Sequence, residues 1–279
     1  MNIVIISSLG ENNFLKCFSS LKKTIDIKKH KIHKFTEKKT RGHTLNNIIK
    51  RFGTKKDILI VADDIQFTPG WYQKLKRNED KAEMWGASML YPNSKKIQDN
   101  GYELVKMNNG TFLRPLKRGE KFLRNPTKEW KYTDCTCGCF LYLNQKTFKF
   151  QKKFYPKYGM NRWDELTFVL KAKSKGLRLA VLNHYLYHEG TSTKSHPNKK
   201  LSSISYQIEK KLWKNLEDKF IDKKKIKKKI NINFHNNILK IVNNKKNNIL
   251  FYGAGIFSEN LMLSRLIQNK KINFTSSLK

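Results

Sequence analysis

The hydrophobic pattern of the first 62 residues alternates between strand-like and helix-like segments. Residues 3–8 and 57–62 are short apolar runs bounded by small or acidic polar residues, which is typical of buried parallel strands. Between them, residues 14–21 carry apolar side chains at spacings of three and four, residues 30–36 alternate weakly like a strand, and residues 45–49 indicate a second helix. Strands that alternate with helices predict an α/β fold with a parallel sheet.

The same kind of pattern continues to residue 193. A helix is predicted to begin at Trp71, directly after Pro69 and Gly70, and an amphipathic helix over residues 164–175 is closed by Gly176. Four further apolar segments predict strands, namely residues 84–91, 97–105, 135–143 and 177–182. We therefore predict one α/β domain over residues 1–193, with a mostly parallel mixed sheet flanked by helices.

The chain changes character after residue 193. Residues 194–246 are rich in lysine and predict a basic helical extension or linker. Residues 247–279 form a predicted strand, a turn at Gly253-Ala254-Gly255 and a helix start, which is half of a dinucleotide-binding fingerprint. Because the third glycine is missing, a structural βα turn or a truncated second domain is favoured over cofactor binding.

The charge of the chain is strongly unbalanced, with 58 Lys and Arg against 22 Asp and Glu and a formal net charge of +36. One interpretation is a surface for nucleic acid or anionic lipid. The other is compositional drift toward Lys, Asn and Ile, and it is favoured because Arg supplies only 9 of the 58 basic residues, whereas specific nucleic-acid recognition relies on Arg. Such a surface would still attract anions, including sugar diphosphates.

Neither a membrane span nor an export signal is predicted. No run approaches the roughly 18 apolar residues that a transmembrane helix needs, and the first six residues lack the basic region of a signal peptide. We therefore expect a cytoplasmic protein.

Three of the four cysteines, Cys135, Cys137 and Cys139, occupy alternate positions. A zinc site would favour pairs separated by two residues, and alternate residues of a strand would splay their sulfurs along one face. The favoured interpretation is therefore buried strand thiols in a reducing compartment.

The apolar strand over residues 57–62 ends in two adjacent carboxylates, Asp63 and Asp64. The carboxyl edge of a parallel sheet is the usual ligand crevice of open α/β folds. Two carboxylates there repel each other unless they share a cation, and oxygen ligands favour Mg²⁺ or Mn²⁺ bridging to phosphates. The structural alternative is that one of them caps the following turn.

Five segments, in order along the chain, resemble family 2 glycosyltransferases of the GT-A fold. They are the strand ending in Asp63-Asp64 followed by Pro69-Gly70-Trp71, the strand–turn–strand from Gly86 to Gly101, the glycine-containing segment Cys137-Gly138-Cys139, the helix start Trp163-Asp164-Glu165, and the segment His188-Glu189-Gly190. The resemblance covers about residues 1–193, and it departs from the family pattern in having Ala62 at the first acidic position and Thr167 where a second Asp is common.

The resemblance implies a nucleotide-diphosphate-sugar transferase, inverting and dependent on a divalent metal. Asp64 and His188 are the implied metal ligands, and Asp63 with Asp64 would contact the donor diphosphate. Glu165 is the implied catalytic base, and Asp164 is the alternative one residue away. Without the resemblance, both acids would be ordinary residues at a helix start, and His188 a structural histidine.

Gly138 and Trp163 are the residues implied for acceptor binding. The partners implied are a nucleotide-sugar donor and a glycan or lipid-linked acceptor, in a role such as cell-surface polysaccharide synthesis, with no nucleic acid. Peripheral contact with anionic membrane through the lysine-rich segment is an open alternative. Two other classes of function compete: a basic module that binds nucleic acid or membrane, and an enzyme that uses Gly253-Ala254-Gly255 for a nucleotide.

Overall fold

The computed structural model describes residues 1–36, 41–52, 56–107, 110–123, 128–150, 161–190 and 206–227. Within these ranges only the backbone is described at residues 41, 107, 110, 112, 161–164 and 206–212. The turn at Gly253-Ala254-Gly255 and the rest of the predicted segment 247–279 lie outside the described residues. No helix in the described part of the chain is long and apolar enough to cross a bilayer.

Eleven strands and six α-helices are described. The strands are β1 (Asn2–Ser7), β2 (Lys31–Thr36), β3 (Ile58–Ala62), β4 (Ile65–Gln66), β5 (Met84–Leu90), β6 (Ile97–Asp99), β7 (Tyr102–Met107), β8 (Gly110–Pro115), β9 (Trp130–Tyr132), β10 (Phe140–Leu143) and β11 (Leu179–His188). The helices are α1 (Glu11–Lys22), α2 (Arg41–Phe52), α3 (Trp71–Asn78), α4 (Gln145–Phe150), α5 (Asn161–Ser174) and α6 (Tyr206–Phe220).

The main sheet has the strand order β2-β1-β3-β10-β5-β11-β4, with β6 paired to β5 and β9 paired to β11. The pairs β1–β2, β1–β3 and β5–β11 are parallel, while β10 is antiparallel to both of its neighbours. The predicted fold class, a mostly parallel mixed sheet flanked by helices, is confirmed.

Alternate side chains of the central strands enter two hydrophobic clusters on opposite faces of the sheet. Ile3 and Ile5 of β1 pack in one cluster with residues of α1 and α3. Val4 and Ile6 pack in the other with residues of α2, α4 and α5. Because successive side chains of a strand point to opposite faces, burial on both sides explains why these strands are continuous apolar runs.

Two predicted strands differ in the structure. The segment 97–105 is divided into β6 and β7 at Asn100 and Gly101, and Gly101 has a φ of 79°, a conformation that favours glycine. The predicted strand 135–143 begins only at Phe140, because the chain turns at Gly138 and Cys139. The two cysteines at 137 and 139 therefore do not lie on one strand face.

Helix α6 packs against the α/β body. Trp213 is fully buried and Leu216 almost so, in a third cluster with Leu113 of β8 and with Leu166 and Leu170 of α5. The indole Nε1 of Trp213 donates a hydrogen bond to the backbone oxygen of Thr111 at 2.7 Å. Part of the segment predicted as a basic extension thus covers the helix that carries Glu165.

Candidate active site

The residues at the carboxyl end of β3 are tied by backbone hydrogen bonds to three other segments. The amide of Ala62 donates to the oxygen of Cys139, that of Asp63 to Ile6 at the end of β1, and that of Glu189 to Asp64. Both aspartates are buried, with exposures of 2% and 5%. The sheet edge therefore brings β1, β3, β11 and the turn before β10 to one place.

The carboxylate of Asp63 accepts hydrogen bonds from the loop that follows β1. Its Oδ2 accepts hydrogen bonds from the backbone amides of Ser8 and Leu9, each at 2.9 Å, and its Oδ1 accepts from Ser8 Oγ at 3.2 Å. Burial is the largest influence on this group and raises the pKa of Asp63; the Leu9 and Ser8 hydrogen bonds oppose the shift and the charge of Asp64 adds to it. Asp63 thus fixes the loop that leads into α1.

Asp64, which is buried, is paired with His188, which is partly exposed. Asp64 Oδ2 lies 3.3 Å from His188 Nε2, and the two side chains are 0% and 14% exposed. The other ring nitrogen, Nδ1, lies 2.8 Å from Gln98 Oε1, to which it donates. Gln98 therefore holds the imidazole so that Nε2 faces Asp64, which is the way ligating histidines are usually oriented by a second partner.

The pairing of β4 with β11 brings His188 to Asp64, because it places His188 opposite Ile65. β11 reaches this position after an irregularity between Leu182 and Tyr185, where His184 Nε2 lies 2.9 Å from Thr68 Oγ1.

Burial alone would lower the pKa of His188, but the hydrogen bond to Asp64 and nearby negative charge outweigh it, so the pKa is raised.

Glu165 on α5 lies directly against Gly138. A Cβ placed on Gly138 would overlap the carboxylate carbon and both carboxylate oxygens of Glu165. Only a residue without a side chain therefore allows the carboxylate to rest on the turn at this point. Two residues that the resemblance implied separately, one for the acceptor and one for the base, are in contact.

Cys137 and Cys139 lie next to His188. One ligand atom of each of the three residues falls within 4.8 Å of the others. The neighbouring Cys137 thiol, together with burial, raises the pKa of the Cys139 thiol. The sequence-based expectation that these sulfurs splay apart along a strand is wrong, because the segment is a turn. Cys135, by contrast, packs in the third hydrophobic cluster, and its thiol contacts the backbone oxygen of Thr136.

A cavity of about 590 Å³ adjoins Asp63 and Asp64. It lies between α1 and the segment that follows β3, and its walls include Asp63, Asp64, Glu189 and the two lysines Lys16 and Lys23. Through Asp63 and Asp64 the cavity reaches the carboxyl end of β3, the edge of the sheet where ligands bind in open α/β folds.

The structure brings together most of the predicted site residues. Asp63, Asp64 and His188 meet at the end of β3, and Gly138 meets Glu165. The side chains of Trp163 and Asp164 are outside the described part of α5, although the backbone of both is helical. Sequence reasoning gave no role to Gln98, Cys137 or Cys139; the glycine between the two cysteines was the available signal, since it indicates a turn rather than a strand.

The donor set at this edge fits a divalent ion. Asp64 offers a carboxylate oxygen, His188 an oriented imidazole nitrogen, and the nearby thiols two further donors. Oxygen donors suit Mg²⁺ and Mn²⁺, whereas imidazole and thiolate suit softer ions.

No protein-family model and no curated protein sequence matches this chain. Among solved structures, that of GalNAc-T7 with UDP, GalNAc and Mn²⁺ superposes with a TM-score of 0.52 at 12% identity. S. aureus TarS 1–349 gives 0.44 at 12%, over 76% of this chain and 63% of that one, and the catalytic domain of Drosophila β1,4-galactosyltransferase 7 with xylobiose gives 0.38 at 10%, over 65% and 63%.

The chain has the GT-A fold, which it shares with the GalNAc-T7 structure. The likeness to GalNAc-T7 covers 67% of this chain and 43% of that structure, so the chain spans less than half of its length. At 12% identity the likeness is one of fold.

Proposed function

We propose that the chain is a glycosyltransferase that moves a sugar from a nucleotide-diphosphate donor to a hydroxyl of a glycan or lipid-linked acceptor. The proposed reaction inverts the anomeric carbon and depends on a divalent ion. The proposal places Asp64 and His188 on the donor side and Glu165 on the acceptor side.

The observation that carries the proposal is the turn Cys137-Gly138-Cys139. The two thiols of this turn lie beside His188, and the bare position between them lies against the carboxylate of Glu165. The Asp64–His188 pair and the separate carboxylate of Glu165 therefore flank one short turn at the ligand edge of the sheet. Displacement at a sugar carbon needs two such groups, one for the leaving group and one for the incoming hydroxyl.

On the donor side, Asp64 and His188 serve to stabilise the departing diphosphate. Asp64 and His188 would hold a divalent ion, which when bound supplies Lewis-acid stabilisation of negative charge on the leaving group. Gln98 keeps Nε2 of His188 directed toward Asp64. Asp63 contributes by fixing the Ser8–Leu9 loop at the same edge, since its carboxylate accepts both backbone amides.

On the acceptor side, the carboxylate of Glu165 takes the proton. As the acceptor oxygen forms its bond to the anomeric carbon, the bond from that carbon to the diphosphate oxygen breaks. The hydroxyl proton passes to Glu165, and the electron pair leaves with the diphosphate. Gly138 allows this carboxylate to lie against the turn, and Trp163 and Asp164 are the proposed neighbours at the helix start.

Donor binding gives the direct test. Thermal unfolding of the full chain is measured with a panel of nucleoside diphosphates and nucleotide sugars, with Mn²⁺ and with a chelator. At a ligand concentration of 100 Kd, stabilisation of about 2.7 kcal/mol should raise Tm by roughly 5–10 °C. Asp64→Asn should abolish the metal-dependent part, while Asp222→Asn, an exposed acid that caps a short turn, should leave it unchanged.

Two results would overturn the proposal. The first is that no nucleoside diphosphate stabilises the chain under any metal condition. The second is that stabilisation is the same with chelator and in Asp64→Asn. Stabilisation by oligonucleotides alone would favour the competing basic binding module.

A further inference from the structure

Cys137, Cys139 and His188 form a group of possible metal ligands, of which the donor-binding proposal uses only His188. Two of them come from the turn before β10 and the third from the end of β11. Their ligand atoms already lie within 4.8 Å of one another. Tetrahedral zinc, with Zn–S near 2.3 Å and Zn–N near 2.0 Å, holds its ligand atoms about 3.5–3.8 Å apart, so a small contraction suffices.

We propose that Cys137, Cys139 and His188 bind a thiophilic divalent ion, Zn²⁺ by the chemistry of the donors, next to Asp64. This inference rests on the proposed function because both use His188 as a metal ligand, and it specifies which metal ion binds beside Asp64. Three protein ligands with a further position open are typical of zinc sites that contact substrate.

Three features of the surroundings favour such an ion. Cys139 is buried and Cys137 is partly exposed, so the thiol pair is largely protected from solvent while a metal ion can still reach it through Cys137. Gln98 Oε1 accepts from Nδ1 of His188 and leaves Nε2 as the ligand atom, directed toward Asp64. Imidazole and thiolate ligands together select zinc over Mg²⁺ or Mn²⁺.

The positive charge of the chain helps to distinguish specific binding of a divalent cation from non-specific binding. With a formal net charge of +36, the protein repels cations in general. Tight binding of one divalent ion per chain would therefore report a specific ligand set.

The test measures metal binding without donor or acceptor. The full chain is stripped of metal and kept reduced, then titrated with Zn²⁺ against a chromophoric chelator and separately with Co²⁺. We expect one Zn²⁺ per chain, and thiolate-to-cobalt charge-transfer absorption in the Co²⁺ complex. Cys137→Ser, Cys139→Ser and His188→Gln should each weaken Zn²⁺ binding at least tenfold.

Cys135→Ser is the matched control. It makes the same change two residues away in the same segment, but its thiol belongs to the third hydrophobic cluster. It should bind Zn²⁺ like the unchanged chain. Urea unfolding of every variant shows that a loss of binding is not a loss of fold, and the partly exposed Cys137 is the position least at risk.

The inference is overturned if the unchanged chain binds no Zn²⁺, if both serine variants bind it equally well, or if the Co²⁺ complex lacks the charge-transfer band. Nucleotide binding with Mn²⁺ is measured on the same samples. Mn²⁺-dependent nucleotide binding without Zn²⁺ binding would overturn this inference and leave the proposed function standing. Thiol-dependent Zn²⁺ binding without nucleotide binding would support this inference and count against the proposed function.

Discussion

Glu165 and Gly138 lie so close that a methyl group at position 138 would occupy space now filled by the Glu165 carboxylate. The overlapping atoms are the end of a flexible side chain rather than backbone. A side chain at 138 would therefore move the carboxylate and leave the fold in place. Position 138 controls where the proposed base sits.

Gly138→Ala should lower turnover about 10²-fold, because a displacement of about 1 Å in a reacting group has an effect of that size. The free energy of unfolding should change little. Gly119→Ala is the control, since Gly119 has a φ of 80° and no atom within 4 Å of an added Cβ. That change strains the backbone and should lower stability by about 1 kcal/mol without affecting turnover. Equal turnover for Gly138→Ala and the unchanged chain would show that the contact between Glu165 and Gly138 does not position the proposed base.

Glu165→Gln should lower turnover by about 10²–10⁴-fold, the usual contribution of a general base. Donor affinity, measured separately, should remain, because the proposal holds the diphosphate through Asp64 and His188. Asp164→Asn should have the smaller effect. If Asp164→Asn is inactive and Glu165→Gln is nearly normal, the base is one residue earlier than proposed.

Asp63→Ala should destabilise the protein by about 1–3 kcal/mol, because the amides of Ser8 and Leu9 lose the carboxylate that accepts them. Asp63→Asn should cost less, since an amide oxygen in the place of Oδ2 still accepts the hydrogen bonds of both backbone amides. Urea unfolding of both variants checks this order. Unchanged stability in Asp63→Ala would mean that the loop does not depend on Asp63.

The ion pair of Glu83 and Arg178 should make stability depend on pH. Burial alone would raise the pKa of Glu83, but the hydrogen bonds from Arg178 outweigh it and lower the pKa below its ordinary value. Arg178 donates to Glu83 from its backbone amide at 2.8 Å and from Nη2 at 2.7 Å. A lowered pKa stabilises the folded state above the unfolded value, about 4.3. The stabilisation is lost as pH falls through the lower folded value.

Glu83→Gln should therefore reduce the free energy of unfolding by about 1.5–3 kcal/mol at pH 7, and the difference should shrink as the pH falls below 4. Urea unfolding across this pH range measures both quantities. Glu79→Gln, which removes an exposed pair with Lys76, should change stability by less than about 1 kcal/mol. A difference for Glu83→Gln that does not vary with pH would rule out ionisation as its cause.

The lysines after α6 provide a test of membrane contact. The short helical turn Lys223–Lys225 is capped by Asp222, and the side chain of Lys225 is 86% exposed. If this turn contacts anionic lipid, a Lys224→Gln, Lys225→Gln double variant should bind anionic liposomes roughly 30-fold more weakly, at about 1 kcal/mol per lysine. Binding should also fall with salt.

The turn Ile27–Lys29, capped by Asp26, provides the matched control because it carries two lysines in a similar setting. Its Lys28→Gln, Lys29→Gln variant should bind liposomes like the unchanged chain. An equal effect of both double variants would indicate non-specific attraction by net charge. Equal binding to neutral and anionic liposomes would contradict the electrostatic basis.

The strands and the acidic pair could be predicted because their signals are local. β3 is a fully buried apolar run, and its end at Asp63 follows directly from the change to acidic residues. α5 ends near Gly176, whose φ of 86° is the conformation expected of a helix-closing glycine.

The neighbours of His188 could not be predicted in the same way. Gln98 reaches it only because β6 pairs with β5 and β5 pairs with β11, and such long-range pairing is not visible in a single segment. The cysteine pair was missed for a local reason. The apolar pattern predicts a strand through Gly138, whereas in the structure the chain turns at this glycine and brings Cys137 and Cys139 together.

The burial of Trp213 sets a lower limit on the length of a functional fragment. Its helix covers Leu166 and Leu170, which occupy the turns of α5 directly after Glu165. The hairpin of β7 and β8 is held through Thr111, whose amide and hydroxyl both donate to the buried carboxylate of Glu217. A fragment ending at residue 193 would leave both surfaces uncovered, whereas one ending after residue 227 would retain the support for Glu165.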